Sequence, residues 1–235
     1  MSRYWREVRA PRYSLTFAFP LLAAYETLAF LLSRFDQVAV RNGADVVLKR
    51  MFGVVGGGRG LAVFGALLIG VGLALVIRDL RRAGNLHPGW FLLMAAEACG
   101  YGLAFGFVAG TLTGMLLAIQ PLPGSSLPVQ LMISLGAGIY EELLFRVLLV
   151  SGLVIVARRV FHWTPAAASG FAILLGAIIF SAFHYVGVYG DRFTLGSFTF
   201  RAVAGVLFSG LYLLRGFGIT AWTHALYDIF LALGW

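Results

Sequence analysis

The sequence predicts an all-α, polytopic membrane protein with about seven (six to eight) transmembrane helices. Of its 235 residues, 60% are hydrophobic and only 12% are charged, whereas soluble domains carry about 25% charged residues. The mean hydropathy is +0.88. Apolar runs of about 20 residues, the length that crosses a bilayer as a helix, recur along the whole chain. Few residues remain for loops, so we expect one compact domain within the membrane.

Short polar, glycine-rich or proline-rich stretches separate the apolar runs. The first run follows four arginines and has no cleavage site, which indicates a retained helix. The charged and branched residues between Phe35 and Phe52 predict an interfacial amphipathic helix. We place the spans at about 14–33, 60–78, 90–118, 128–157, 165–187, 196–214 and 218–234.

A face without side chains is predicted on the third span. Gly102, Gly106, Gly110 and Gly114 follow one another at intervals of four residues. Such spacing lets another helix backbone approach closely. We therefore expect this helix to serve as scaffold.

The chain divides into N-terminal membrane helices with the amphipathic connector, residues 1–125, and C-terminal helices, residues 126–235. Both form one integrated membrane domain. The arginine-rich N-terminus, Arg78, Arg158 and Arg215 fall on one side of the bilayer if the spans alternate, which favours a cytoplasmic N-terminus in the inner or plasma membrane of the cell. The net charge of +8 then contacts lipid headgroups, and no nucleic-acid partner is expected.

Three short runs place ionisable residues inside predicted spans. They are Glu141-Glu142-x-x-x-Arg146, Phe180-x-x-x-His184 and His224-x-x-x-Asp228. Charge in hydrocarbon is costly, so such residues are candidates for function. Together they predict one buried polar site among the C-terminal four helices. Strict alternation nevertheless places His184 and His224 near opposite ends of their spans, which conflicts with a shared site.

The spacing of the first run assigns its members different environments. Glu142 and Arg146 are four residues apart and can pair on one helix face. Glu141 points about 100° away and is left without a local counter-ion, as suits a general base. The competing interpretation is a structural ion pair with a second glutamate satisfied by another helix. Asp228 shares a face with His224 and could orient it, stabilise its charged form or act beside it; the alternative is a hydrogen bond that only joins helices.

With these runs in this order, the chain resembles the CAAX prenyl protease and bacteriocin-processing (CPBP, or Abi) intramembrane endopeptidases over about residues 126–235. The family pattern is Glu-Glu-x-x-x-Arg, Phe-x-x-x-His, and His-x-x-x-Asn or a related residue. The resemblance implies hydrolysis of a peptide bond in a membrane-associated protein or peptide, by CAAX-type, leader-peptide or sorting-tail processing.

The resemblance also implies roles for individual residues. Glu141 would activate water with help from His184, and His224 with residue 228 would bind the carbonyl oxygen. Glu142 and Arg146 would support this geometry. Ionised Asp228 departs from the pattern because it only accepts hydrogen bonds, so we expect it to orient His224 instead.

Three alternatives remain open from the sequence. Glu141, His184 and His224 could ligate zinc, with an open position for water; the metal-free mechanism is favoured because Glu141 cannot easily be both ligand and base. Buried Glu and His chains also serve transporters and proton relays, although no internal repeat is visible. A pseudoenzyme that binds a membrane partner is the third.

Overall fold

The computed structural model describes residues 3–35, 41–56, 59–113, 126–187 and 190–233, and every regular element within them is helical. The first five helices are α1 (Arg3–Glu7), α2 (Pro11–Phe35), α3 (Gly43–Gly56), α4 (Gly60–Ala83) and α5 (Pro88–Thr113). The next is a continuous helix in three parts, α6 (Leu127–Gly136), π1 (Ala137–Val150) and α7 (Ser151–Arg159). The last three are α8 (Pro165–Phe183), α9 (Leu195–Arg215) and α10 (Phe217–Ala232).

The structure confirms the all-α membrane class. Five helices within the described ranges are long and apolar enough to cross a bilayer, namely Pro11–Arg34, Ala62–Ala83, Pro88–Leu112, Pro165–Phe183 and Leu195–Arg215. The two other predicted spans correspond to the three-part helix and to α10. The helix α10 has 16 residues, about 24 Å, and is shorter than the hydrocarbon core of about 30 Å.

The predicted amphipathic connector contains a helix that packs into the protein. Helix α3 lies against α4 and π1, and its residues Ala44, Asp45 and Leu48 are buried. The predicted stretch began at Phe35, whereas the helix begins at Gly43, and residues 36–40 lie outside the described part of the chain. The connector therefore supplies one wall of the protein interior next to π1.

Close approach of helix backbones fixes the position of α10 between α5 and π1. A Cβ atom on Gly102 would lie 3.3 Å from the carbonyl oxygen of Thr223, and one on Gly138 would lie 2.4 Å from that of Ala221. The predicted side-chain-free face of α5 is confirmed at Gly102, while Gly114 lies outside the described residues. Gly138 was not foreseen. It brings α10 directly onto the segment that carries the two glutamates.

Ion pairs gather the N-terminus and the basic ends of α4 and α9 at one end of the molecule. Nη1 of Arg12 lies 3.1 Å from Oδ2 of Asp79. Nη2 of Arg215 lies 2.6 Å from Oε2 of Glu97, and its Nη1 donates to the carbonyl oxygen of Trp5 at 3.1 Å. The structure thus places together the N-terminus and the ends of α4 and α9, three of the four segments that the charge pattern assigned to one side.

Candidate active site

The two adjacent glutamates lie on π1, where backbone hydrogen bonds reach back five residues instead of four. At the end of this segment the N–H of Ser151 donates to the carbonyl oxygen of Arg146. The sequence predicted an ordinary α-helix here. The local pair is present nonetheless, because Nη1 of Arg146 lies 3.1 Å from Oε1 of Glu142, with both side chains fully buried. Segments of π-helix are rare and are frequent at functional sites.

Glu142 also contacts His224, which the sequence did not indicate. Its Oε1 lies 2.6 Å from Nδ1 of the imidazole. Because a carboxylate only accepts hydrogen bonds, Nδ1 carries the hydrogen and is the donor of this hydrogen bond. The bond joins π1 to α10 and fixes the orientation of the ring. Nε2 of His224 is left free of this bond.

Two phenylalanine rings pack against the arginine and the two histidines of the site. The guanidinium of Arg146 lies 4.4 Å from the ring centre of Phe180 and 5.5 Å from that of Phe208, distances typical of cation–π contacts. Phe208 stacks on His224 with centroids 4.3 Å apart. Phe180 meets His184 edge to face at 4.9 Å. The phenylalanine of the second run therefore touches both the ion pair and a histidine.

Glu141 faces His184 without a direct hydrogen bond. Its Oε2 lies 4.0 Å from Nε2 of His184, which is beyond hydrogen-bonding distance. Nδ1 of His184 lies 3.0 Å from the carbonyl oxygen of Phe180, so Nδ1 is the donor, and when the ring is neutral its Nε2 faces Glu141 without a proton. The two facing atoms are both acceptors. The side chain of His184 is 24% exposed and that of Glu141 only 10%, so access to the pair is from the His184 side.

Strict alternation of the predicted spans placed His184 and His224 near opposite ends of their helices. The observed lengths of α8 and α10 remove this conflict. Helix α8 ends at Phe183, before residue 187 where the span was predicted to end. The chain then turns back, with the N–H of Asp191 donating to the carbonyl oxygen of His184 at 2.8 Å and Gly187 at a φ of 96°. His224 lies in the middle of the short helix α10. Both imidazoles thereby reach the adjacent glutamates of π1.

Asp228 lies beside His224 but does not fix its ring. Its Oδ2 is 3.7 Å from Nε2 of His224, too far for a hydrogen bond. The orienting contact expected from Asp228 is instead made by Glu142 at the opposite ring nitrogen. Asp228 therefore faces the nitrogen that is available to a substrate.

Asn42 was not predicted as a site residue. It lies in the N-terminal half of the chain and forms a hydrogen bond with Glu141. Its Nδ2 donates to Oε1 of Glu141 at 2.8 Å, and its Oδ1 accepts from the N–H of Ala44 at 2.9 Å. An asparagine just before a helix is typical of an N-cap. That signal predicts the bond to Ala44 and says nothing of a partner 99 residues away.

Glu141, His184 and His224 are the residues that the sequence offers as an alternative zinc set. Among the residues that the structure describes, no three His, Cys, Asp or Glu side chains converge as a metal-binding set. One oxygen of Glu141 is bonded to Asn42, and Nδ1 of each histidine is bonded to protein oxygen, a contact that metal-binding histidines also make.

The helices thus bring a carboxylate and two imidazoles together in the protein interior, a set of groups that can perform general acid–base chemistry. Residues 123–230 match the family model described as "Type II CAAX prenyl endopeptidase Rce1-like". All three runs fall within the match, which confirms the resemblance of this part of the chain to the CPBP family. The family consists of membrane-embedded proteases that act on membrane-associated peptides. No curated protein and no solved structure matches the chain.

Proposed function

We propose that the protein is an intramembrane endopeptidase in which Glu141 activates water for attack on a peptide bond. The observation that carries this proposal is the pair of acceptors, Oε2 of Glu141 and Nε2 of His184, 4.0 Å apart. A water molecule between them would donate one hydrogen bond to each. Glu141 takes a proton as the water oxygen bonds to the carbonyl carbon, and returns it to the amine nitrogen as the carbon–nitrogen bond breaks.

His224 stabilises the negative charge that develops on the carbonyl oxygen. As an imidazolium it donates from both nitrogens, from Nδ1 to Glu142 and from Nε2 to the oxyanion. The bond of 2.6 Å to Glu142 supports this role because it fixes the direction of the ring. Arg146 balances the charge of Glu142 at 3.1 Å. The ion pair thus acts through His224 and does not touch substrate.

Asp228→Asn should retain activity within about tenfold of the unmodified protein. The ring of His224 is fixed by Glu142, and the new amide would add a donor next to the oxyanion. The measurement is the cleavage rate of a reporter peptide in proteoliposomes, with His224→Ala as the inactive reference. Complete loss of cleavage in Asp228→Asn would show that the carboxylate itself is required.

An apolar groove next to the site is the place we assign to the hydrophobic chain of a substrate. It has a volume of about 850 Å³ and lies between α2, α3 and α4, with Leu22, Phe64 and Leu68 among its apolar walls. Tyr140, the neighbour of Glu141 in the chain, also lines it, together with the charged residues Glu26, Arg41, Lys49 and Arg50. Volume and lining suit a lipid-like ligand. Together with the family, they favour a prenylated CAAX-type peptide over an unmodified leader peptide.

Gly65→Phe should raise KM for a farnesylated CAAX-type peptide about tenfold by filling this groove. Gly65 lines the groove, and an added Cβ there meets nothing within 4 Å. Gly72→Phe is the matched control, since Gly72 lies on the same helix with equally open surroundings. KM for the same peptide without its farnesyl group should not change. Equal KM for both peptides in Gly65→Phe would remove the groove from substrate binding.

The function is tested by trapping substrates in native membranes with the Glu141→Gln protein. Mass spectrometry of peptides that co-purify with this variant, compared with the unmodified protein, should reveal uncleaved precursors whose products form only with Glu141 present. A transporter would instead show Glu141-dependent proton or solute flux in liposomes without proteolysis, and a pseudoenzyme would bind the same partners in both forms. Running the assay with metal-analysed, chelator-treated protein decides the zinc alternative.

A cytoplasmic N-terminus in the cell membrane is proposed because the basic N-terminus and the basic ends of α4 and α9 lie together.

A further inference from the structure

We infer that Asn42 is a positioning residue for Glu141, holding one carboxylate oxygen so that the other is presented to water and His184. The inference rests on the proposed role of Glu141 as the base. Nδ2 of Asn42 lies 2.8 Å from Oε1 of Glu141, while Oε2 is the oxygen that faces His184. The two oxygens thus have separate partners, and the amide determines which one is free for proton transfer.

The orientation of the Asn42 amide follows from its second contact. Oδ1 accepts from the backbone N–H of Ala44 at 2.9 Å, so the NH₂ group must point to the carboxylate. Asn42 is 3% exposed and Glu141 8% exposed, and water does not readily replace a bond between them. Among the described residues, Asn42 supplies the one hydrogen bond to the Glu141 side chain. A buried carboxylate that lost this donor would have to find another position.

Asn42 is itself held by a network outside the catalytic groups. Its backbone N–H donates to the hydroxyl of Tyr25 at 3.3 Å, and that hydroxyl donates to Oδ2 of Asp45 at 2.8 Å. Asp45 is fully buried and pairs with Arg41 at 2.9 Å and Lys49 at 2.6 Å. The side chain is therefore fixed from α2 and α3 before any substrate binds, as precise positioning requires.

Packing against Gly136 of α6 also fixes the position of Asn42. A Cβ atom on Gly136 would lie 2.8 Å from Cβ of Asn42 and 2.5 Å from the ring of Tyr25. Gly136 is the last residue before π1, five residues from Glu141. The absence of a side chain at this position lets Asn42 lie directly on the helix that carries the base.

Two substitutions separate positioning from helix capping. Asn42→Ser and Asn42→Asp both keep an oxygen for the N–H of Ala44, since serine and aspartate are good N-cap residues. Serine is too short to reach Glu141, and aspartate turns a second carboxylate toward it. We expect kcat to fall about 100-fold in both, with at least as large a loss in Asn42→Asp, while KM for the reporter stays unchanged. The probe is an internally quenched, farnesylated CAAX-type peptide in proteoliposomes.

The matched control is Thr164→Ala, which removes a helix cap that has no contact with Glu141. Thr164 accepts from the N–H of Ala167 at 3.3 Å at the start of α8. Its variant should lower thermal stability without changing kcat. If Asn42 only capped α3, Asn42→Ser and Asn42→Asp would likewise leave kcat unchanged.

Each outcome separates this inference from the proposed function. Unchanged kcat in Asn42→Ser and Asn42→Asp, with Glu141→Gln inactive, overturns the positioning role and leaves the proposed function standing. A raised KM with unchanged kcat also overturns it, because Asn42 would then contact substrate. If Glu141→Gln retains full activity, or if no membrane peptide is processed in a Glu141-dependent way, the proposed function fails and the positioning role fails with it. Thermal unfolding of each variant in detergent establishes that it is folded before kcat is compared.

Discussion

Glu141→Gln should lower the rate of peptide hydrolysis by about 10³-fold without unfolding the protein. Glutamine keeps the shape of the side chain, and its carbonyl oxygen can still accept the bond that Asn42 donates at 2.8 Å. Its amide, however, cannot take a proton from water. The measurement is the initial rate of reporter cleavage in proteoliposomes, with the melting temperature of the variant recorded alongside.

A glutamate elsewhere in the membrane provides the control for this result. Glu97 pairs with Arg215 at the basic end of the molecule, five residues before Gly102 on α5. Glu97→Gln removes a charge of the same kind and should leave the cleavage rate unchanged. A Glu141→Gln protein that kept more than about a tenth of the rate would contradict the assignment of Glu141 as the base.

Arg146→Met should destabilise the protein by about 3–5 kcal/mol and also reduce cleavage, because it leaves a buried charge without its partner. Glu142 is fully buried, and Arg146 lies 3.1 Å from it. Without the arginine, Glu142 retains only the bond to His224, and the rings of Phe180 and Phe208 lose the cation that they enclose. Thermal unfolding in detergent measures the loss.

Two further variants test whether the missing charge is the cause. The double variant Glu142→Gln/Arg146→Met removes both charges and should recover most of the stability, since an uncharged pair avoids the cost of burial. Arg158→Met removes an exposed arginine from α7 and should change stability by less than about 0.5 kcal/mol. A single Arg146→Met protein as stable as the unmodified one would show that Glu142 needs no buried cation.

Much of the fold could be predicted because hydrophobic length is a local property of the sequence. The seven predicted spans correspond in order to α2, α4, α5, the three-part helix, α8, α9 and α10. The largest error in the C-terminal half is the end of α8, which lies at Phe183 instead of residue 187. An apolar tail such as Tyr185-Val186 continues the hydrophobic signal although the helix has already ended at Phe183 and the chain turns over residues 184–187.

The parts of the site that could not be predicted depend on contacts between distant segments. The Glu142–Arg146 pair follows from spacing along one helix and is present. The bond from His224 to Glu142 needs the close packing of α10 on Gly138, which no local pattern reports. The same holds for Asn42, because the charges of the connector resembled those of an interfacial helix whereas α3 packs into the interior.

The hydrogen bond between Asn42 and Glu141 crosses the boundary that divides the chain by sequence. The family match begins at residue 123, yet a group on residue 42 contacts the carboxylate at the centre of the matched region. The region that matches the family model is thus shorter than the part of the chain that positions Glu141. Sequence similarity in the C-terminal half alone therefore does not report how the glutamate is held, because part of its support comes from the N-terminal half.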